Sequence, residues 1–408
     1  LSEYYDIVIV GGGAVGLSLL QALSQMDSFK IALLESRPSV NAKLENTSQD
    51  RFSQDRFSQD RFIVLSHSSR KFYESIGCWD QMMQEVVPID DIEVSVKGQY
   101  GTSVLNSKKG SLGYVISLYR LEQILQAQYS TSEMNSASMH TTNLYMGAKL
   151  IDCEYKDSIW HLHYAQNSIT KIIKAQWLIG ADGPDSLVRI QNHIGVDKKT
   201  YSHEAIVGIV QTDGHNNRAF ERILKNGAIA ILPLTNHRVV FIWSLESQQA
   251  RTYFEQTEDL LLNTLQNEFG YRLGRFSQLH SKKIFPLMMS RAHKQGDAYR
   301  KFLLMGTAAM NLHPIGAQGL NLSLRNVARL SKLLKQISSE LSNPAKFSLY
   351  VEKLIKDYMG AIVGDEAQAQ WITDKLASYV AGGPFPPFCR ALGLVLFDSI
   401  NPIKNTFT

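Results

Sequence analysis

Cysteine is scarce in this chain: three among 408 residues, Cys78, Cys153 and Cys389, far apart and in no C-x-x-C or metal-ligand spacing. Neither a disulfide framework nor a zinc site is supported, and a reducing compartment, the cytoplasm, fits best. Long apolar runs are missing too. None approaches the roughly 18–20 residues that a bilayer-spanning helix needs, and Leu1–Asp6 has neither the basic nor the apolar region of a signal peptide. The chain opens on Leu1 instead of Met, so removal of an upstream presequence stays open. Charge of one sign is not in excess: 42 basic against 38 acidic side chains leave +4, too weak a field to imply nucleic acid. With 11 prolines, 27 glycines and 44% hydrophobic residues the composition is that of an ordinary folded protein. At about 150 residues per domain, the length predicts two to three domains or one large unit with insertions.

The informative features begin at the N-terminus. Tyr5–Val10 is β-rich, Gly11-Gly12-Gly13-Ala14-Val15-Gly16 follows, and Leu17–Leu23 has a helical apolar pattern. In a strand–glycine turn–helix unit, Gly11 permits the tight turn, Gly13 lets main chain approach a pyrophosphate and Gly16 permits close helix packing. The helix N-terminus supplies N–H donors and partial positive charge. A second strand, Lys30–Leu34, ends at Glu35, about 20 residues beyond the glycines, where a carboxylate accepts hydrogen bonds from ribose hydroxyls. NAD and FAD both fit these residues.

Two later segments bear on that choice. Gln176–Ala181 is an apolar strand that ends in Asp182-Gly183 and is followed by Arg189; a plain turn and a solvated arginine are the alternative reading. Phe302–Met305 runs into a loop of small residues, Gly306-Thr307-Ala308-Ala309, then His313-Pro314-Ile315-Gly316-Ala317-Gln318-Gly319-Leu320-Asn321. Small residues suit backbone lying against a flat, bulky ligand, and a helix starting near Gln318 would aim its N-terminus at a reduced flavin's anionic edge.

In this order and spacing, the three segments resemble the class A flavoprotein monooxygenases, the para-hydroxybenzoate hydroxylase type, and the third resembles the ubiquinone-biosynthesis hydroxylases in particular. Arg218–Arg222, Ile229–Leu234 and Phe269–Gly274 are most similar to the branch that acts on 2-polyprenyl-6-methoxyphenol. The resemblance spans essentially the whole chain. It implies an α/β, Rossmann-like FAD domain with an inserted, mainly antiparallel substrate sheet and a helical C-terminal tail. The FAD domain is expected at 1–85, 110–190 and 295–345, the substrate domain at 86–109 and 191–294, and the tail at 346–408. Runs such as Asp91–Val96, Ala205–Val210 and Arg238–Trp243 read as strands of the substrate sheet.

Residue by residue, the resemblance places Gly11, Gly13, Ala14, Gly16 and Glu35 on the ADP moiety, with Arg61 and Gln123 near the flavin. Asp182 and Gly183 match a motif credited with FAD and nicotinamide contacts, and Gly306, Thr307, Pro314, Gly319 and Asn321 match the loop over the ribityl chain and ring. The implied chemistry is reduction of FAD by NAD(P)H, reaction with O2, and transfer of one oxygen to an electron-rich phenol, here a polyprenylphenol of ubiquinone synthesis. The flavin carries the hard step; the protein excludes water, seats the ring and helps the phenol lose its proton. His313 beside Pro314 is the candidate for proton relay or positioning, with a histidine bonded to backbone as the alternative.

Two departures stand out. Thr307 replaces the usual Asp and brings no charge, and Ala317 puts a Cβ where a glycine is expected, so weak FAD retention is expected. A flavin-poor scaffold subunit of a quinone-biosynthesis complex is therefore the rival from another class; a hydroxylase of another aromatic compound is the rival among enzymes. Ser48-Gln49-Asp50-Arg51-Phe52 recurs at 53–57 and 58–62. Its period of five matches neither strand nor helix and predicts a loop, with partner or anionic-lipid binding as the alternative. The apolar run from Gly382 to Phe397 is a candidate for peripheral membrane or subunit contact, against a buried terminal helix.

Overall fold

The computed structural model describes residues 3–26, 28–38, 61–107, 110–129, 142–235, 237–313, 318–337 and 344–380, with side chains from 347 to 377 in the last segment. Most of the pentapeptide repeat, Pro314, Ala317, Cys389 and the apolar run from 382 lie outside them.

The first layer is a mainly parallel sheet. Its core strand Glu3–Val10 carries Ile7, Val8 and Ile9, all fully buried, because helices or strands cover both faces. It pairs in parallel with Ile31–Glu35 on one side and with Ile169–Gly180 on the other. Phe302–Leu304 extends the sheet beyond Ile169–Gly180, and Thr142–Met146 extends it beyond Ile31–Glu35, both again in parallel. The helices Ala14–Ser24 and Gln318–Ile337 pack on one face and share a core with Leu17, Leu20, Leu324, Val327 and Leu330.

The second layer is an eight-stranded sheet, and all three runs expected there are strands of it. Along Arg238–Glu246 the side chains alternate. Val239, Phe241, Trp243 and Leu245 bury against the helices Ser247–Phe254 and Glu258–Phe269, while Val240 and Ile242 face the other way. The sheet is antiparallel except where Arg218–Leu224 runs parallel to Asp91–Val96. Its second face is covered in part by a three-stranded sheet, Phe62–Leu65, Gly113–Ser117 and Val87–Ile89, through Val64, Val87, Ile89 and Val115.

The helix Pro344–Val380 closes the molecule. Asp365 receives Arg325 at 3.1 Å and Arg329 at 2.7 Å, and Glu366 accepts from Asn326 and Gln295. These groups are buried, so each carboxylate is held by partners that replace its lost hydration. No helix among the described residues is long and apolar enough to cross a membrane.

Candidate flavin site

Parallel pairing brings the carboxyl ends of four strands to one edge, which is where ligands bind in open α/β sheets. Gly11 follows the first strand, Glu35 ends the second, Ala181-Asp182-Gly183 follows Ile169–Gly180, and Met305-Gly306-Thr307 follows Phe302–Leu304. Ala181 N donates to Val10 O and Met305 N donates to Gly180 O, so the loops are tied at their bases. Three segments remote in sequence thus converge on one crevice.

The glycine turn is interlocked. Gly11 has φ +107°, and a Cβ there would lie 2.3 Å from Ala181 O. A Cβ on Gly16 would lie 1.9 Å from Gly11 O, so the helix can approach the turn only with glycine at that position. Gly13 differs: a Cβ there would meet nothing nearer than Glu122 Oε1 at 3.6 Å. Folding constrains Gly11 and Gly16, whereas the space beside Gly13 is open to a ligand.

Glu35, 5% exposed, accepts from Gly12 N at 2.5 Å and, through its other oxygen, from Arg37 N at 2.7 Å and Arg37 Nε at 3.0 Å. Burial opposes its charge, but the Arg37 guanidinium and these N–H donors outweigh it and hold the carboxyl below its ordinary range. Asp182 uses Oδ2 to accept from Val188 N at 3.1 Å, while its buried Oδ1 has no hydrogen-bond partner. A buried acceptor without a protein partner fits a ligand hydroxyl that reaches it. Gly183 follows with φ +90° and open space around it. Arg189 is buried and donates to Ala308 O at 3.0 Å and Pro184 O at 2.7 Å, joining the second loop to the third.

In the third loop Gly306 packs against Val15, Thr307 is exposed at the crevice, and Gly319 has open space where a Cβ would stand. Asn321 is placed differently. Its amide is buried, accepts from Ser66 N and Ser69 Oγ, and donates to Val64 O. It fastens the helix to the strand and loop after Arg61. Arg61 is exposed, with its guanidinium over the Phe285 ring at 5.6 Å. Gln123 accepts from Arg120 at 2.7 Å.

It is the neighbouring Glu122 that reaches the glycine turn. Ala14 N donates to Glu122 Oε1 at 3.1 Å, and Arg37 Nη1 donates to Glu122 Oε2 at 2.7 Å. The sequence carries a signal for this residue: Glu122 shares the buried stripe of its helix with Leu121 and Leu125. His313 is buried with its ring edge-on to Tyr201, 4.7 Å between centroids. Burial and the nearby His203 push its pKa down to about 4, so it is neutral at pH 7.

Sequence reading also passes over Glu221. It lies two positions along from both Ala219 and Ile223, hence on the same apolar face of the large sheet, and strand pairing sets it beside Val94 and Ala230. Burial pushes this carboxyl up to about 7.

Glycine cradle, acid at the second strand end and unused Asp182 acceptor together fit the adenosine, diphosphate and ribityl parts of FAD. The sequence profile of the FAD binding domain family matches residues 4–353. Among curated proteins, the chain is 24% identical over 446 residues to the mitochondrial ubiquinone biosynthesis monooxygenase COQ6 of Caenorhabditis elegans, covering 99% of this chain and 95% of the relative. It is 25% identical over 411 residues to the ubiquinone hydroxylase UbiL of Rhodospirillum rubrum, covering 98% and 88%. Among solved structures, PqsL of Pseudomonas aeruginosa, a probable FAD-dependent monooxygenase, superposes with TM-score 0.74 at 16% identity over 96% of this chain and 99% of that one. The p-nitrophenol 4-monooxygenase PnpA of Pseudomonas putida gives TM-score 0.70 at 15% identity over 99% and 96%. These likenesses show the fold of class A flavin monooxygenases.

Proposed function

Since this chain belongs to the FAD binding domain family and is an FAD-dependent monooxygenase, we propose that it hydroxylates a polyprenylphenol of ubiquinone biosynthesis, 2-polyprenyl-6-methoxyphenol, using NAD(P)H and O2. The observation that carries this reading is the convergence of the Gly11, Glu35, Asp182 and Gly306 loops on one crevice beside a large sheet with an apolar second face. Bound there, FAD supplies electron transfer and oxygen activation. Gly13 and Ala14 would give backbone to the diphosphate, Glu35 would accept from the adenosine ribose, and Asp182 Oδ1 and Thr307 would accept hydrogen bonds from ribityl hydroxyls. Gly306 and Gly319 leave room for the ring. Arg61 and Gln123 would stand near it, and Gly183 and Asn321 would hold the loops' shape.

On the substrate side, an electron-rich phenol needs an acceptor for its hydroxyl proton in a dry, apolar pocket. Glu221 supplies one: a carboxyl that titrates near neutrality on an apolar sheet face takes a proton without a strong opposing charge. His313, neutral and edge-on against Tyr201, would act as a positioning residue and not as a proton carrier at pH 7. Leu232 and Ile242, partly exposed on the same face, would offer apolar contact to a prenyl chain.

The test is NAD(P)H oxidation by FAD-reconstituted protein with and without a short-chain polyprenylphenol, with product analysis. Substrate-stimulated oxidation with one oxygen added to the ring is expected. No stimulation at saturating FAD would transfer support to a scaffold subunit, which Thr307 in place of an acid favours. Stimulation by a different phenol alone would point to the rival hydroxylase. Contacts with a membrane surface or with other subunits of a quinone-biosynthesis complex belong to the same proposal and are read by vesicle flotation and co-purification.

A further inference from the structure

The helix Ala14–Ser24 begins at the point where the diphosphate of a dinucleotide meets main-chain N–H groups. Its first intrahelical bond runs from Leu17 N to Gly13 O, so the N–H of Ala14 lies ahead of the ladder and needs an outside acceptor. In this chain the acceptor is a carboxylate of the protein itself. Glu122 Oε1 takes Ala14 N–H at 3.1 Å, and Glu122 Oε2 takes Arg37 Nη1 at 2.7 Å. Arg37 is engaged twice more, by Glu35 through Nε at 3.0 Å and by Gly12 O through Nη2 at 2.9 Å. Glu122 is 8% exposed, and the nearest atom to a Cβ built on Gly13 is its Oε1.

Resting on the FAD reading above, we propose that Glu122 is a built-in competitor for the diphosphate: it occupies the Ala14 donor, engages the Arg37 guanidinium and weakens FAD binding until it is displaced. Two physical facts make the contact costly to the cofactor. An anion on the helix N-terminus is stabilised by the same donors and dipole that a phosphate uses, so the two cannot both hold the Ala14 N–H. A carboxylate left buried beside a diphosphate repels it, with little water between to screen the charges. Displacing Glu122 also breaks its ion pair with Arg37. Glu35 is not a second competitor, because it turns its carboxylate to Gly12 and Arg37 at the end of the neighbouring strand.

The experiment measures FAD dissociation constants by quenching of flavin fluorescence for the full chain and for Glu122→Gln and Glu122→Ala. ADP-induced shifts in melting temperature are measured in parallel. Glutamine keeps the size and an acceptor for Ala14 N–H but no charge; alanine vacates the site. At least tenfold tighter FAD binding by both variants, with a larger ADP shift than in the parent, is expected. Equal FAD affinity in the parent and in folded variants overturns the proposal while leaving the FAD reading intact. Failure of all three proteins to bind FAD or ADP overturns the FAD reading, and the proposal with it. Should Glu122→Ala melt early, the comparison rests on Glu122→Gln.

Discussion

Asn321 accepts the backbone N–H of Ser66 at 2.9 Å, a hydrogen bond that joins positions 255 residues apart. The same amide accepts from Ser69 Oγ at 2.7 Å and donates to Val64 O at 2.8 Å. One side chain therefore ties the helix after the third loop to the strand and helix that follow Arg61, and both walls of the crevice depend on it.

Replacing Asn321 with Ala leaves buried donors and an acceptor without partners. At about 1–3 kcal/mol for an unsatisfied buried group, a loss of about 3 kcal/mol of stability is expected. Asn321→Asp keeps the acceptor but can donate to Val64 O only when protonated, so it approaches the parent most closely below the carboxyl's pKa. Urea denaturation of the three proteins measures both effects; an unchanged midpoint for Asn321→Ala would remove Asn321 from this role.

Gly13 and Gly16 separate ligand space from folding space. Gly16→Ala puts a methyl 1.9 Å from Gly11 O and is expected to lower the melting temperature by several degrees with or without FAD. Gly13→Ala meets only a side-chain oxygen at 3.6 Å, so the apoprotein is expected to melt within about a degree of the parent and yet to bind FAD at least tenfold more weakly. Thermal scans with titrated FAD distinguish the two, and equal behaviour of the variants would show that Gly13 faces no ligand.

Glu221 gives a pH signature. Because burial raises its pKa to about 7, the ionised base accumulates as pH rises through 7, and the substrate-dependent rate is expected to rise with it. Glu221→Gln should lose that limb and at least tenfold in kcat/KM, with FAD affinity unaltered. The stability sign is opposite: the unfolded state ionises from about pH 4.5 upward while the folded state holds its proton, so Glu221→Gln stabilises most at pH 7 and above. A parallel change in FAD affinity would place Glu221 in the cofactor site instead.

His313 has the converse sign. Its folded pKa of about 4 lies below the ordinary 6.5, so as pH falls through that window the unfolded state takes up a proton that the folded state refuses. Stability is therefore lost with acid, by about 3 kcal/mol at full extent. His313→Asn should flatten the urea midpoint between pH 7 and 4.5 while leaving the rate profile from pH 6 to 9 unmoved. A rate step near pH 6.5 that vanishes in this variant would show a titrating histidine instead of a neutral one.

Local order is legible in the sequence. The strand–turn–helix at 5–23, the acid at the second strand end and the small-residue third loop announce themselves because glycine geometry and side-chain periodicity are short-range properties. The alternating run at 238–243 likewise specifies a strand with two buried faces.

The local sequence could not say which side chain completes the site. Gln123 and Glu122 are adjacent, and only the angle at which their helix meets the glycine turn turns Glu122 toward Ala14 and Gln123 toward Arg120. Asn321 meets Ser66 only through packing of elements far apart in sequence, and three strands lay Glu221 on an apolar face. The glycine turn and the strand ends follow from local sequence, since they depend on neighbours within a few residues. Tertiary structure alone decided which charges are desolvated and which donors are already taken, because both depend on atoms brought together from distant parts of the chain.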